Sequence, residues 1–569
     1  MVLEPEIGIV LERGRRLLGD PWAQRAILVA VVVWVFWDGI WAGVPRSDHI
    51  LYLHHISQFD GLWDILAHSP AWNRDAANPG DDVVLYRPVL YLLLGTLYYF
   101  FRYDFAAWQI AALCLHIAVV LGLHLLLMQG RLRQTLLPLA ISLWFACTFF
   151  ASELVFWNHI VGYVLFCALD VYAVYFFLRF LQSDRSVFLI PCCALSVVAE
   201  FTYEAGAVVN VLFAAALFAR SWSASASDAP VPGSPRNASR WFALLFLLAA
   251  VVLPMASLLD LRARGVAFSP GVHGMGIGRM AVLAGQDALL QIAFWLSTWL
   301  APTVYHCTAL ARAVCGVSPT GLTLLRLLNL IALALLATGA VQGWKQLARS
   351  NISRREPLFA LAASTIFLLA YSVIIAIGRT LPDRLMFVLQ ANVYYTYIAC
   401  LTVCVGIATA MAVGRVRVAP IDLEAASTRA GAKTGSEGSA PRPELGRRLV
   451  PALLVLALVN ACGVRELARA FRYEYAAPRQ QVIDRVLAWR KQVGDRVPRY
   501  FVVGPTCTGN ETISWFTQGR LRKNSGWQPP VTLADALWPE RSANLNAARI
   551  RIDLESVDEI RCDSTVASQ

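Results

Sequence analysis

Long apolar runs separated by short polar connectors occupy most of the chain. The first extends from Arg25 to Val44, and others follow at 105–128, 136–152, 158–181, 187–202, 204–220, 241–259, 321–342, 357–378, 385–412 and 449–464. Their lengths approach the ~20 residues that cross hydrocarbon, so each predicts a membrane-spanning helix, about eleven in all. Two further apolar stretches, 88–101 and 284–304, compete for the same role, and charge decides between the readings. If 88–101 crossed, Arg131 and Arg133 would fall outside, with every later basic connector displaced after them. Laid along the outer surface instead, it lets 105–128 run inward and keeps Arg179, Arg185, Arg220, Arg236 and Arg240 inside. The same test makes 284–304 a re-entrant or surface segment, which keeps Lys345, Arg349, Arg354 and Arg355 inside. The amino end is then inside and the carboxyl end outside. Arg13, Arg15 and Arg16 precede a first span without a small-residue cleavage site, so that span is read as uncleaved.

Composition agrees with this pattern: 57% of the 569 residues are hydrophobic, 15% are charged, and the mean hydropathy is +0.54. No water-soluble fold has interior enough for that apolar load. The formal charge of +11 sits in connectors beside spans, the positive-inside distribution, and not on a phosphate-tracking face. The chain therefore reads as an all-α polytopic membrane protein with outer-face surface helices and a small C-terminal α/β soluble domain. The membrane part covers 1–464. It includes a first outer loop at 45–104, a second outer loop at 260–320 and a cytoplasmic linker at 414–448, whose Ala/Gly/Ser-rich composition predicts disorder, as does that of 221–239. From 465 to 569 the composition is that of a soluble outer domain, with a helix at 480–493 and a strand at 499–504. Cys507 and Cys562, alone in that region, form one disulfide or remain two thiols. The cysteines inside apolar spans pack as small hydrophobes without zinc-like spacing.

Candidate chemistry lies at the ends of spans. Asp48 follows the first span within a few residues, where partial exclusion of water can raise a carboxylate toward useful general-base behaviour. The other acids of 45–104 are what an outward loop should carry. Glu153, Asp170, Glu200 and Glu204 lie in or beside the membrane, where each needs a partner or a polar cavity. Glu153 and Glu204 fall near the outer face, whereas Asp170 is deeper and equally suited to a structural pairing. Arg87, between Tyr86 and Pro88, is held extended before the surface helix. Arg379 and Arg384 flank an outer turn against the positive-inside trend, which suits either a bound anion such as phosphate or contacts with Asp383 and lipid headgroups. His49, His54, His55, His116 and His124 match no recognised ligand motif; no cofactor is firmly expected, though a divalent metal is conceivable. Trp34, Trp37, Trp41 and Trp144 read as an interfacial belt. The glycines of 271–278 lack the Lys-Ser/Thr ending of a phosphate loop.

Taken together, the acid after the first span, Tyr86-Arg87-Pro88-Val89 opening a surface helix, the His-bearing second span, Glu153 ending the third, the acidic turn before the sixth and Asp383-Arg384-Leu385-Met386-Phe387 opening a late span resemble the GT-C glycosyltransferase superfamily. The similarity is greatest to its protein O-mannosyltransferase-like branch and covers roughly 25–410. The chain departs from that branch in two ways: Asp48-His49 stands where paired acids are usual, and the tetratricopeptide repeats of some members are absent. The resemblance implies an enzyme of the bacterial inner (plasma) membrane that transfers a sugar, with inversion, from a polyprenyl-phosphate donor to an acceptor hydroxyl on the outer face, with no nucleic-acid partner. It implies Asp48 as base, Arg87, Arg379 and Arg384 on the donor phosphate, and Glu153 and Glu204 orienting the acceptor or a basic side chain, with Tyr86, His49 and His116 in support. The alternatives are a transporter or flippase of lipid-linked or polar solute, and an inactive GT-C-like assembly subunit.

Overall fold

The computed structural model describes residues 18–44, 87–129, 135–148, 150–156, 160–224, 235–263, 355–378, 394–413, 444–477 and strands at 500–503 and 557–560, with isolated positions within 49–64, 282–289 and 480–491. Among the described residues, all but one strand pair of the regular structure is helical. Among the described residues, five helices are long and apolar enough to cross a membrane.

The chain opens with α1 (Pro21–Phe36), started by Asp20, whose carboxylate accepts the N–H groups of Trp22 and Ala23, and by Pro21, which needs no donor at the first helical position. A 3-10 turn at Asp38–Ala42 closes the span. Next come α2 (Pro88–Phe101), α3 (Phe105–Gln129), α4 (Leu137–Ala146), α5 (Phe150–Phe156) and α6 (Val161–Ser183). After these run α7 (Leu189–Thr202), α8 (Gly206–Ala224), α9 (Pro235–Ala263), α10 (Arg355–Gly378), α11 (Tyr394–Val413) and α12 (Glu444–Ala470), the last running into a π-helical segment at Phe471–Ala476. The fourteen residues of α2 span about 21 Å, short of the ~30 Å hydrocarbon thickness.

The centre of the bundle is α3, packed against α1, α4, α6 and α11. Its pairing with α1 is antiparallel. Near one end the His124 imidazole bonds the Gln24 side-chain oxygen at 2.9 Å, and Gln24 donates to the Leu18 carbonyl. At the other end Gly43 lies so close to α3 that a Cβ there would stand 2.8 Å from the Phe105 carbonyl, so the chain needs a glycine at that crossing. The end of α1 and the start of α3 therefore share one end of the bundle. Arg465 of α12 and Arg472 of the π-helical segment stand over Trp34 and Trp41 at 4.4 and 5.7 Å, and Arg472 also bonds Asp38 at 2.7 Å. These contacts fasten α12 and its π-helical extension along α1 and the turn after it.

Several expectations are adjusted. The apolar run at 136–152 is broken: α4 stops at Ala146, and α5 begins at Phe150. Thr148 turns its hydroxyl back onto the Phe145 carbonyl, a local bond that competes with continuing the helix. The 221–239 linker is shortened at both ends, because α8 reaches Ala224 and α9 starts at Pro235. Tyr500–Val503 forms the expected strand and pairs in parallel with Val557–Ile560, with Val503 opposite Ile560. Residues 264–281, 284, 290–354, 414–443, Cys507 and Cys562 lie outside the described residues, and with them the second-loop, glycine-run, linker and disulfide expectations.

Candidate functional site

Arg87 is drawn into the bundle by a residue 117 positions away. Its Nε and Nη2 both donate to the Glu204 carboxylate at 2.9 Å, a bidentate pair with the two side chains 12% and 29% exposed. Local chemistry places both partners. Pro88 opens α2 directly after Arg87, which fixes where the arginine leaves the helix end. On the other side Tyr203 adopts an extended backbone, ending α7, and Glu204 occupies the tight turn before α8. That turn depends on Gly206: a Cβ there would lie 2.6 Å from the backbone nitrogen of Glu200.

The same turn separates two acids that helical spacing would put on one face. Glu204 faces Arg87, whereas Glu200 points into the bundle, where the Asn210 amide donates to it and the Ser196 hydroxyl donates to Asn210. This network ties α7 to α8 and offsets part of the cost of a carboxyl group placed among apolar helices, while the Glu200 Oε1 is buried without a hydrogen-bond partner.

Around Arg87 stands a set of tyrosines. The guanidinium lies over the Tyr203 ring at 4.6 Å and the Tyr163 ring at 5.6 Å, and its Nη1 donates to the Tyr163 hydroxyl at 3.4 Å. Tyr163 packs on Tyr203 and Tyr395, Tyr203 reaches Tyr371, and the Tyr371 hydroxyl donates to the Tyr395 carbonyl. Burial by itself would favour the neutral guanidine, but Glu204 and the neighbouring phenols outweigh it and hold the Arg87 pKa well above its ordinary value. Burial raises the Tyr203 phenol, and Tyr163 adds to this while Arg87 opposes it, so Tyr203 stays protonated at neutral pH. Sequence reasoning misses the tyrosines: Tyr163 and Tyr203 stand near span ends, but Tyr371 and Tyr395 fall inside the apolar runs at 357–378 and 385–412, so no shared signal marks the four.

The other candidates are placed as follows. His49 is buried, with its ring 5.9 Å from Phe105 and 5.1 Å from Trp108, at the end of the bundle where α1 stops and α3 starts. Asp48 and Tyr86 are outside the described residues, but each is covalently joined to a described one, His49 and Arg87. Arg379 follows the last residue of α10; it and Arg384 are likewise outside the described residues. Glu153 falls within α5, its side chain outside what is described. His116 is deeper than the Arg87 site and fully buried: one ring nitrogen bonds the Tyr397 hydroxyl at 2.9 Å, the other the Ala146 carbonyl at 3.1 Å. That carbonyl ends α4 and has lost its in-helix donor, so His116 serves the helix break. Among the described residues, no group of three or more His, Cys, Asp or Glu side chains is arranged to hold a metal ion.

No family model matches the chain, and no curated protein matches it. Among solved structures, it aligns with the crystal structure of an Archaeoglobus fulgidus oligosaccharyltransferase tethered by a disulfide to an acceptor peptide containing the NVT sequon. The alignment has 14% identity and a TM-score of 0.36, and covers 92% of this chain and 64% of that one.

Proposed function

We propose that this membrane protein is an inverting glycosyltransferase that moves a sugar from a polyprenyl-phosphate donor to an acceptor hydroxyl at the outward end of its bundle. The observation that carries the reading is Arg87, in the Tyr-Arg-Pro-Val segment, held side-on by Glu204 among tyrosines at a helix-bundle end. A bidentate carboxylate spends part of the guanidinium and aims the rest, so Glu204 positions Arg87 instead of competing for the acceptor. The remaining N–H groups of Arg87, with Arg379 and Arg384 from the segment that joins α10 to α11 in the sequence, would hold the donor phosphate. Asp48 accepts the acceptor proton as its oxygen attacks the anomeric carbon opposite the phosphate. The sugar–phosphate bond then breaks, its electron pair leaves with the phosphate, and the arginines offset that developing charge. The protein O-mannosyltransferase-like branch sets the class of donor expected.

The test is to supply purified protein with radiolabelled polyprenyl-phosphate sugars and membrane acceptors and to determine the anomeric configuration of any product. Labelled product of inverted configuration supports the reading, and the absence of product with every donor counts against it. A second reading, transport of a polar solute past intramembrane acids, draws on the Glu200–Asn210–Ser196 network and predicts flux across vesicles without transfer.

A further inference from the structure

A cavity of about 860 Å³ opens where the end of α1, the α2–α3 turn and the segment at 480–491 meet. Its volume falls within the roughly 300–1,000 Å³ typical of small-molecule sites. Four aromatic residues line it: Trp41, half exposed and steadied by Arg472, Phe101 at the end of α2, Tyr103 and Phe105. The lining also includes Arg102, Asp104, Asp484 and Lys491, two basic and two acidic groups.

The turn that carries Arg102 and Asp104 is held firmly. Arg102 has φ 48°, a left-handed conformation that costs a non-glycine residue, and three contacts hold it there. Its N–H reaches the Tyr98 carbonyl at 2.8 Å, its carbonyl accepts the Trp108 indole N–H at 3.2 Å, and its guanidinium lies over the Tyr98 ring at 4.8 Å. Asp104 caps α3 by accepting the Ala107 N–H at 3.2 Å. Across the cavity the Gln480 amide donates to Asp484 at 2.8 Å.

Balanced charge disfavours an anion such as phosphate or a nucleotide, and equally a simple cation. Aromatic faces flanked by both donors and acceptors suit a ligand with apolar ring faces and many hydroxyls, each able to give a hydrogen bond to a carboxylate and take one from Arg102 or Lys491. Phe105 is also part of the wall, and its ring receives His49. Asp48 is the residue before His49 in the sequence.

We propose that this cavity binds a neutral carbohydrate, and that this carbohydrate is the acceptor. The second half of the statement rests on the transferase reading; the first half does not.

The experiment uses the full-length protein in lipid nanodiscs, which avoids glycoside detergents. Saturation-transfer-difference NMR is recorded with neutral methyl glycosides, disaccharides and trisaccharides of gluco, galacto and manno configuration, and inorganic phosphate is added as competitor. At least one neutral sugar is expected to give signal that phosphate does not displace. Trp41→Ala should weaken it about tenfold or more. Because Trp41 also supports Arg472, Ala106→Trp provides a second variant that fills the cavity without removing a contact, and it should weaken binding as much. Thermal unfolding checks that both variants fold. No binding by any neutral sugar, binding unchanged in folded Ala106→Trp, or displacement by phosphate would overturn the proposal. Sugar binding without transfer from any donor would leave the cavity standing and remove the transferase. Transfer with an unchanged acceptor KM in Ala106→Trp would do the reverse.

Discussion

At the scale of single residues, the pair that organises the site is Arg87 with Glu204. A partly buried ion pair differs from a surface one: removing one partner strands the other in a poorly solvated place, so each single loss costs more than the pair contributes. Arg87→Ala and Glu204→Ala should therefore each destabilise, and the double variant should lose much less than their sum. A coupling of about 1–3 kcal/mol from reversible unfolding in mixed micelles is expected. Additive losses would mean that the two groups do not act together. Arg87 was legible in the sequence because Tyr-Arg-Pro-Val sits before an apolar helix where topology disfavours positive charge. Its partner was legible only as an acid near a turn. A contact across 117 residues follows from packing, which no local spacing encodes. His116 illustrates the converse: a histidine in an apolar span looks like chemistry, but it meets a carbonyl freed by a helix break that the apolar pattern of 136–152 concealed.

At the scale of elements, the junction of α7 and α8 decides how the acids divide. Tyr203 breaks the helix, Glu204 turns toward Arg87, and Gly206 lets α8 start against the backbone of Glu200. Gly206→Ala should force that junction apart, lowering stability by about 1–3 kcal/mol, the range for overpacked sites. It should also weaken the donor interaction, because Glu204 would no longer present Arg87 in the same place. A melting temperature and donor KM equal to those of the parent would contradict this account of the turn. Helix positions were the easiest feature to read, since a continuous apolar run has few alternatives to a helix in lipid. The exact ends were harder. They depend on single side chains such as Asp20 at the start of α1 and Thr148 after α4, whose local hydrogen bonds compete with helix extension.

At the scale of the whole molecule, α1 and α3 are antiparallel, and Arg87, His49, Glu204 and the last residues of α10 gather toward one end of the bundle. We propose, from the positive-inside distribution, that this end is the outer one. Accordingly, a reporter fused after Arg355 should report a cytoplasmic location, and one fused after Ala477 an extracytoplasmic location. Both on the same side would refute the assignment. The charge pattern could supply this because basic connectors alternate along the chain. The shared cavity among Trp41, Arg102 and Lys491 could not be read in the same way, because it joins segments more than 350 residues apart.

The central claim is that Asp48, beside the buried His49, takes the proton from an acceptor hydroxyl as a sugar leaves polyprenyl phosphate. Asp48→Asn preserves shape and removes the base, so single-turnover transfer from a radiolabelled polyprenyl-phosphate sugar measures it most directly. The account predicts a fall of about 10²-fold or more in the variant, with donor binding and thermal unfolding close to those of the parent. Transfer by Asp48→Asn at the parental rate would contradict it.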